Sequence, residues 1–360
     1  MSSDSSSYIL ESYKNNLSEK NRQHINLTNH AWSIIKKDQL EFDNTEPLYL
    51  SSFLNKIFLM YYNLSLFPIN IEDMIIDKKN EFNKTIGKYS LDLNLQTSLL
   101  NDLINTYKDE LKVLLTNKEK GSGEKIRLNK DVYDLSRIQP NSIKSEFFSS
   151  TGKYLNAVFE NYASKSYMER ERIFFNDKIA LFQEAIRLKR SINITLSNGS
   201  TYHVIPYSIR TDRLSSYNYI IGISTKIDKA ENVESPKLAS FRLSRIESIR
   251  INSDNYVLSN DDKKSIENEI QNKGVAFLLS EKLCVKIKLT SEGQKSYFTR
   301  FHMRPPLIKQ TDDIFEFHAT ATQILYYFFS FRNDAEILEP LELRDYFKNE
   351  YYKAYENYCK

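Results

Sequence analysis

The chain has 360 residues, 41% of them apolar, with 50 Lys and Arg against 47 Asp and Glu and a net charge of +3. That length predicts two or three domains, and that balance excludes a global basic field, so any contact with nucleic acid has to be local. Two cysteines, Cys284 and Cys359, exclude a disulfide framework or a cysteine metal site and suit a reducing cytoplasm.

Tyr and Phe are abundant, at 24 and 21, and Gly is scarce, at 8, which predicts helix-rich, aromatic-filled packing. Residues 1–20 are rich in Ser and Asn and read as a disordered tail. They lack the basic start and apolar stretch of a signal peptide. No run approaches the ~18 apolar residues of a membrane span. The expected location is cytoplasmic.

Residues 22–28, RQHINLT, alternate like a strand, with Ile25 and Leu27 on one face and His24, Asn26 and Thr28 on the other. Thr28 or Asn29 can cap a helix running to about Glu41. A second helix opens near Leu50 or Ser51. A lone strand with two short helices cannot bury itself, and residues 21–66 resemble the ribbon-helix-helix family. The resemblance implies a homodimer with paired strands in the major groove and His24, Asn26 and Thr28 as DNA readers. It also implies a phosphate at the start of the second helix, near Ser51 and Ser52. Between Lys20 and Leu66 five basic residues face four acidic ones, a thin basis for a DNA contact.

Residues 67–190 read as a helical linker or dimerisation region. Leu95, Leu99, Leu103, Tyr107 and Leu111 recur three or four apart, the spacing of a core-facing helix or a seam with a second subunit. KEKGSGEK, residues 118–125, is a loop. A strand fits within 124–137, and helices fit 145–164 and 167–190.

Residues 192–251 form the centre of the chain. Ile192, Ile194 and Leu196 alternate with polar residues, Asn198-Gly199 is a hairpin turn, and three or four further short strands follow. The spacing predicts a small, strongly bent barrel of the SH3 or Sm-like kind. On the strand 201–207, His203 and Tyr207 share a face, and Arg242 and Arg245 are expected on opposite faces of theirs. Pro206-Tyr207, then Asn218-Tyr219-Ile220-Ile221-Gly222, then Phe241-Arg242-Leu243-Ser244-Arg245-Ile246 resemble three successive motifs of the WYL-domain proteins. The naming tripeptide departs from the family, with Asn218 in place of Trp and Ile220 in place of Leu. The resemblance implies a WYL barrel over 191–260 that senses a nucleic-acid or nucleotide ligand. Its site residues would be His203, Tyr207, Arg210, Tyr219, Arg242 and Arg245. Arginine beside tyrosine and histidine suits a planar anion.

Residues 261–360 alternate helix and strand in an order that suggests a ferredoxin-like α+β domain. They also resemble the extension that follows the WYL barrel, which in that family commonly mediates dimer contacts. Arg300, His302 and Arg304 form a basic patch, most simply a solvated surface. The expected fold class is therefore multidomain α+β. The five histidines have no ligand spacing, and no phosphate loop, HExxH or GxSxG occurs, so neither an enzyme nor a bound cofactor or metal is expected.

The leading expectation is a homodimeric, ligand-responsive nucleic-acid-binding regulator, with DNA at the N-terminal domain and the ligand in the barrel. Ribbon-helix-helix and WYL together resemble the accessory proteins of type VI-D CRISPR systems. That implies the alternative of single-stranded RNA binding and modulation of an effector nuclease. A small-molecule sensor without nucleic acid is the third expectation.

Overall fold

The computed structural model describes residues 17–42, 49–89, 92–115, 121–212, 216–227, 235–278 and 282–359. Most of the expected N-terminal tail lies outside the described residues. The chain divides into two compact units, Met1–Asp177 and Lys178–Lys360.

The first unit is built on a two-stranded ribbon, in which β1 (Leu17–Leu27) pairs antiparallel with β2 (Ser122–Asn129). Ile25 and Leu27 are buried, as are Ile126 and Leu128, while His24 and Asn26 are exposed. Helix α1 (Asn29–Phe42) starts where the Thr28 hydroxyl accepts the Ala31 N–H at 3.0 Å. Helix α2 (Leu50–Asn63) is buried from Ser52 to Tyr61 and is the hub of the unit. Helices α3 (Ile71–Ile86) and α4 (Leu93–Leu115) pack through Ile71, Ile75 and Leu111. Short helices α5 (Lys130–Ser136) and α6 (Ile143–Phe147) lead to α7 (Thr151–Ser164) and α8 (Tyr167–Phe174).

The single helix expected over 167–190 is interrupted at Phe175 and resumes as α9 (Asn176–Leu188). The interruption lets the adjacent Phe174 and Phe175 both reach Phe42, each at 5.4 Å between ring centroids. Neighbours on a continuous helix point too far apart to share one partner.

The ribbon departs from the expected ribbon-helix-helix arrangement, because β1 pairs with a strand of its own chain and both outer edges carry side-chain partners at the end bearing Asn26, Thr28, Arg127 and Asn129. On β1, the Asn26 N–H donates to Asn156 Oδ1 at 2.9 Å and the Thr28 N–H to Glu160 Oε1 at 2.6 Å. On β2, the Arg127 N–H donates to Ser51 Oγ at 3.1 Å. The Asn55 side chain donates to the Arg127 carbonyl at 2.9 Å and accepts the Asn129 N–H at 3.2 Å. Side chains of α7 and α2 thus stand in for neighbouring strands at that end of the ribbon.

In the second unit, a five-stranded antiparallel sheet runs in the order β6-β5-β4-β3-β7. Its strands are β3 (Arg190–Leu196), β4 (Thr201–Asp212), β5 (Tyr217–Lys226), β6 (Lys237–Arg242) and β7 (Ile246–Asn255). The outer strands β6 and β7 are joined only by a 3-10 turn, Leu243–Arg245. Four extended residues span at most about 14 Å, whereas five flat strands would hold their outer members about 19 Å apart. The sheet must therefore curl until its two edges approach. Among the described residues β6 and β7 do not pair, so the expected closed barrel is instead an open, curled sheet.

The Pro206 and Gly222 of the motifs have mechanical roles in this sheet. Pro206 lies opposite Gly222, and the register then slips so that Ser208 opposes Ile221. Proline has no N–H to give the ladder, so a bulge forms there. The strands come so close that a Cβ on Gly222 would lie 2.4 Å from the Ile205 carbonyl oxygen.

Helix α10 (Asn260–Lys273) covers one face through Ile266 and Ile270, against Ile221 and Leu278. A four-stranded antiparallel sheet follows, in the order β11-β8-β10-β9. It comprises β8 (Lys282–Leu289), β9 (Leu307–Thr311), β10 (Ile314–Thr320) and β11 (Ala335–Glu339). Helix α11 (Ser291–Thr299) links β8 to β9 and α12 (Ala321–Phe328) links β10 to β11, which is the split β-α-β order that the term ferredoxin-like denotes. Helix α13 (Leu341–Glu356) ends the unit. Phe315, Phe317 and Phe328 fill its core. The β9 strand has no signal in the sequence because it is an exposed edge with no buried alternation. No helix among the described residues is long and apolar enough to cross a membrane.

Candidate functional site

A cleft of about 830 Å³ in the second unit collects groups from the curled sheet and from the C-terminal sheet and helices. One side carries Tyr217, Tyr219, Arg242 and Arg245; the other carries Arg300, Phe301, His302, Tyr326 and Tyr327. No carboxylate is among the described residues that line it. The Arg242 guanidinium stacks on the Tyr217 ring, 3.3 Å from its centroid, a cation–π contact that fixes the position of the fork. Tyr219 is nearly buried, whereas Phe301 and Tyr326 are more than half exposed at the mouth.

Arg242 ends β6 and Arg245 ends the 3-10 turn after it. The turn rotates the chain, so both line the cleft and the expectation of opposite faces fails. The Arg300 guanidinium donates to Ser330 Oγ at 3.0 Å and lies 5.2 Å from the Phe331 ring centroid. The backbone at Arg300 is fastened by the Tyr327 hydroxyl, which lies 2.7 Å from the Arg300 carbonyl and 3.1 Å from that of Tyr297. Burial pushes the Tyr327 phenol up to about 12. Arg304, the third member of the basic patch, is turned aside, 4.6 Å from the Phe301 ring and 5.4 Å from Tyr297.

Of the six expected barrel residues, Tyr219, Arg242 and Arg245 meet in the cleft; His203, Tyr207 and Arg210 do not line it. The Tyr207 hydroxyl and the Arg210 guanidinium both donate to Oε1 of Glu267 on α10. Burial and the Glu267 carboxylate both raise the Tyr207 phenol. His203 Nε2 lies 3.0 Å from Ser191 Oγ and 3.0 Å from Asp254 Oδ2, and Ser191 donates to the same carboxylate oxygen. Ser191 first, then His203, holds the Asp254 carboxyl below its usual range. A hydrolytic relay needs the carboxylate and the hydroxyl on opposite ring nitrogens. Here both meet Nε2, so the trio ties β3, β4 and β7 together. At the place of the family's Trp, Asn218 is fully buried, and its Oδ1 accepts the Thr211 hydroxyl at 2.7 Å.

Of the expected DNA readers, His24 and Asn26 are exposed, but Thr28 is buried, with its hydroxyl donating to Glu160 Oε2 at 3.1 Å. At the expected phosphate position, Ser52 is buried and Ser51 Oγ is used by Arg127. A second cleft of about 680 Å³ lies beside Asn26 and mixes Lys112 and Lys153 with Glu160. No group of three or more His, Cys, Asp or Glu among the described residues could hold a metal ion.

Tyr217, Phe301, Tyr326 and Tyr327 had no functional signal in the sequence. Aromatics on an amphipathic helix or in a strand read as core, and only the assembled cleft shows which ones face solvent.

No protein-family model and no curated protein matches the chain. Among solved structures, proteasome accessory factor B/C (PafBC) of Arthrobacter aurescens aligns at 16% identity over 63% of this chain and 36% of that one, with a TM-score of 0.26. So low a score carries no argument. A crystal structure of a CRISPR Cas-related protein aligns over 97% of this chain and 98% of that one at 23% identity, with a TM-score of 0.71. The chain thus shares its fold, over nearly its whole length, with a CRISPR Cas-related protein.

Proposed function

We propose that the cleft of the second unit binds single-stranded nucleic acid and that the chain is a non-catalytic regulator responding to that ligand. The observation that carries this reading is the convergence of Arg242, Arg245, Arg300 and His302 on a cleft otherwise lined by aromatic and neutral groups. Guanidinium groups take phosphates, and exposed rings such as Phe301 and Tyr326 stack unpaired bases. The 830 Å³ volume is near the upper end of the roughly 300–1,000 Å³ range of small-molecule sites, room for a short segment of strand. A duplex keeps its base faces inside and cannot use those rings.

The N-terminal strand gives less support to a duplex contact, since the Thr28 and Ser51 hydroxyls are hydrogen-bonded within the fold and Ser52 is buried. The likeness to a CRISPR Cas-related protein supports the accessory role, in which a cytoplasmic regulator modulates an RNA-guided nuclease. The mechanism would be a population shift: ligand favours one geometry of the chain, and the favoured geometry engages the partner. The reading includes a homodimer, supported by the exposed Leu95, Leu99 and Leu114 of α4. Light scattering should then give twice the chain mass of 42.4 kDa.

Fluorescence anisotropy with labelled single-stranded RNA, single-stranded DNA and duplex DNA across a salt series tests the reading. Three phosphate contacts predict a slope of log K against log salt of about −2 for single strands. Arg242→Ala and Arg300→Ala should each weaken binding about tenfold and flatten the slope by about 0.7. A duplex preference abolished by Asn26→Ala would move the site to β1. Binding to none of the three would leave a small-molecule sensor.

A further inference from the structure

Glu267 occupies a position suited to a ligand phosphate. Pairing sets Arg210 opposite Tyr219 and Tyr219 opposite Arg242, so the three side chains leave one face of the sheet in a single row. Tyr219 and Arg242 line the cleft; Arg210, next in the row, does not. Its guanidinium and the Tyr207 hydroxyl converge instead on one oxygen of the Glu267 carboxylate. Two converging donors of this kind would serve a phosphate oxygen equally well. The Arg210 and Glu267 side chains are both about one third exposed, at 38% and 32%, so the pair is accessible to an incoming anion. The carboxylate is presented by α10, which is seated on the same sheet face by Ile266 and Ile270.

We propose that Glu267 is an internal competitor for the ligand's phosphate and that it sets the ligand class. An oligonucleotide with several phosphates then gains the Arg210 and Tyr207 contacts, which a mononucleotide does not. This inference rests on reading the cleft as a nucleic-acid site. A carboxylate tethered to the fold competes at an effective concentration on the order of millimolar. A free mononucleotide does not displace it. A strand already held at Arg242, Arg245 and Arg300 presents its next phosphate at comparable effective concentration, displaces Glu267 and gains Arg210 and Tyr207. Glu267 is thus a specificity-determining residue, acting through the donors it occupies.

The test is anisotropy of the full chain with a labelled single-stranded RNA, with adenosine monophosphate as competitor. It compares wild type, Glu267→Gln, Arg210→Ala, the double variant and Arg242→Ala, each checked for folding by thermal melting. Glu267→Gln should bind the RNA about fivefold tighter, and the gain should vanish in the Arg210→Ala background. Adenosine monophosphate should compete better against Glu267→Gln than against wild type. If Glu267→Gln melts early, Glu267→Met keeps the side-chain length and provides the same comparison. No gain, or a gain that survives Arg210→Ala, overturns the proposal. Arg242→Ala separates the two readings. Unchanged affinity in that variant removes the cleft as the nucleic-acid site and the competitor with it. Lost affinity with an unresponsive Glu267→Gln removes only the competitor.

Discussion

At the scale of single residues, Asp38 shows what burial demands of a charge. It is fully buried, and its carboxylate accepts from Arg170 Nε at 2.6 Å, Arg170 Nη2 at 3.1 Å and the Tyr162 hydroxyl at 2.9 Å. Removing one partner strands the other charge away from water. Asp38→Ala should lower unfolding free energy by about 3–5 kcal/mol, read from the urea midpoint. Tyr327 is the residue-scale test of the cleft. Its raised phenol means that its contribution to stability is complete below the ordinary value near 10 and is lost as pH rises through about 12. Tyr327→Phe should lower stability by about 1 kcal/mol at neutral pH. It should also weaken ligand binding without changing the charge of the site, because the Arg300 backbone loses its fastening. An affinity equal to wild type would show that the loop is held by other means.

At the scale of elements, the ribbon β1-β2 depends on side chains that impersonate strands. Asn55→Ala removes the acceptor of the buried Asn129 N–H and one donor to the part-buried Arg127 carbonyl. The expected loss is about 3 kcal/mol by chemical denaturation, and a loss under 1 kcal/mol would mean that water takes over the edge. In the curled sheet, Gly222→Ala forces a Cβ against the Ile205 carbonyl and should cost about 2 kcal/mol. Element periods were legible in the sequence. The alternation of Ile25 and Leu27, the Thr28 cap and the spacing of the α4 leucines all mark real elements. The partners of those elements were not legible. Alternation reports that one face is buried and is silent about what covers it, so β1 without its neighbour resembled half of a dimer.

At the scale of the whole molecule, ligand binding should be visible as linkage. Binding to the native chain alone at 100 times Kd adds about 2.7 kcal/mol. For a unit of this size that corresponds to a rise of roughly 5–10 °C in the melting temperature of the transition that includes the cleft. Arg242→Ala should abolish the rise at the same RNA concentration, monitored by differential scanning calorimetry.

By itself the sequence determined local matters: where strands and helices lie, the Pro206 and Gly222 that shape the curled sheet, and the presence of Tyr219, Arg242 and Arg245 in one motif-bearing stretch. These follow from side-chain period, turn chemistry and the absence of a proline N–H, all properties of near neighbours. Only the tertiary structure decided that β2 completes the ribbon from some hundred residues downstream. It also decided that the barrel stays open, that Arg300 and His302 face Arg242 and Arg245 across a cleft, and that Glu267 holds Arg210 and Tyr207. Those outcomes depend on which buried faces meet and which charges are thereby left to find partners. Each face could be buried in more than one way, and the choice among them is made by packing between segments far apart in the chain.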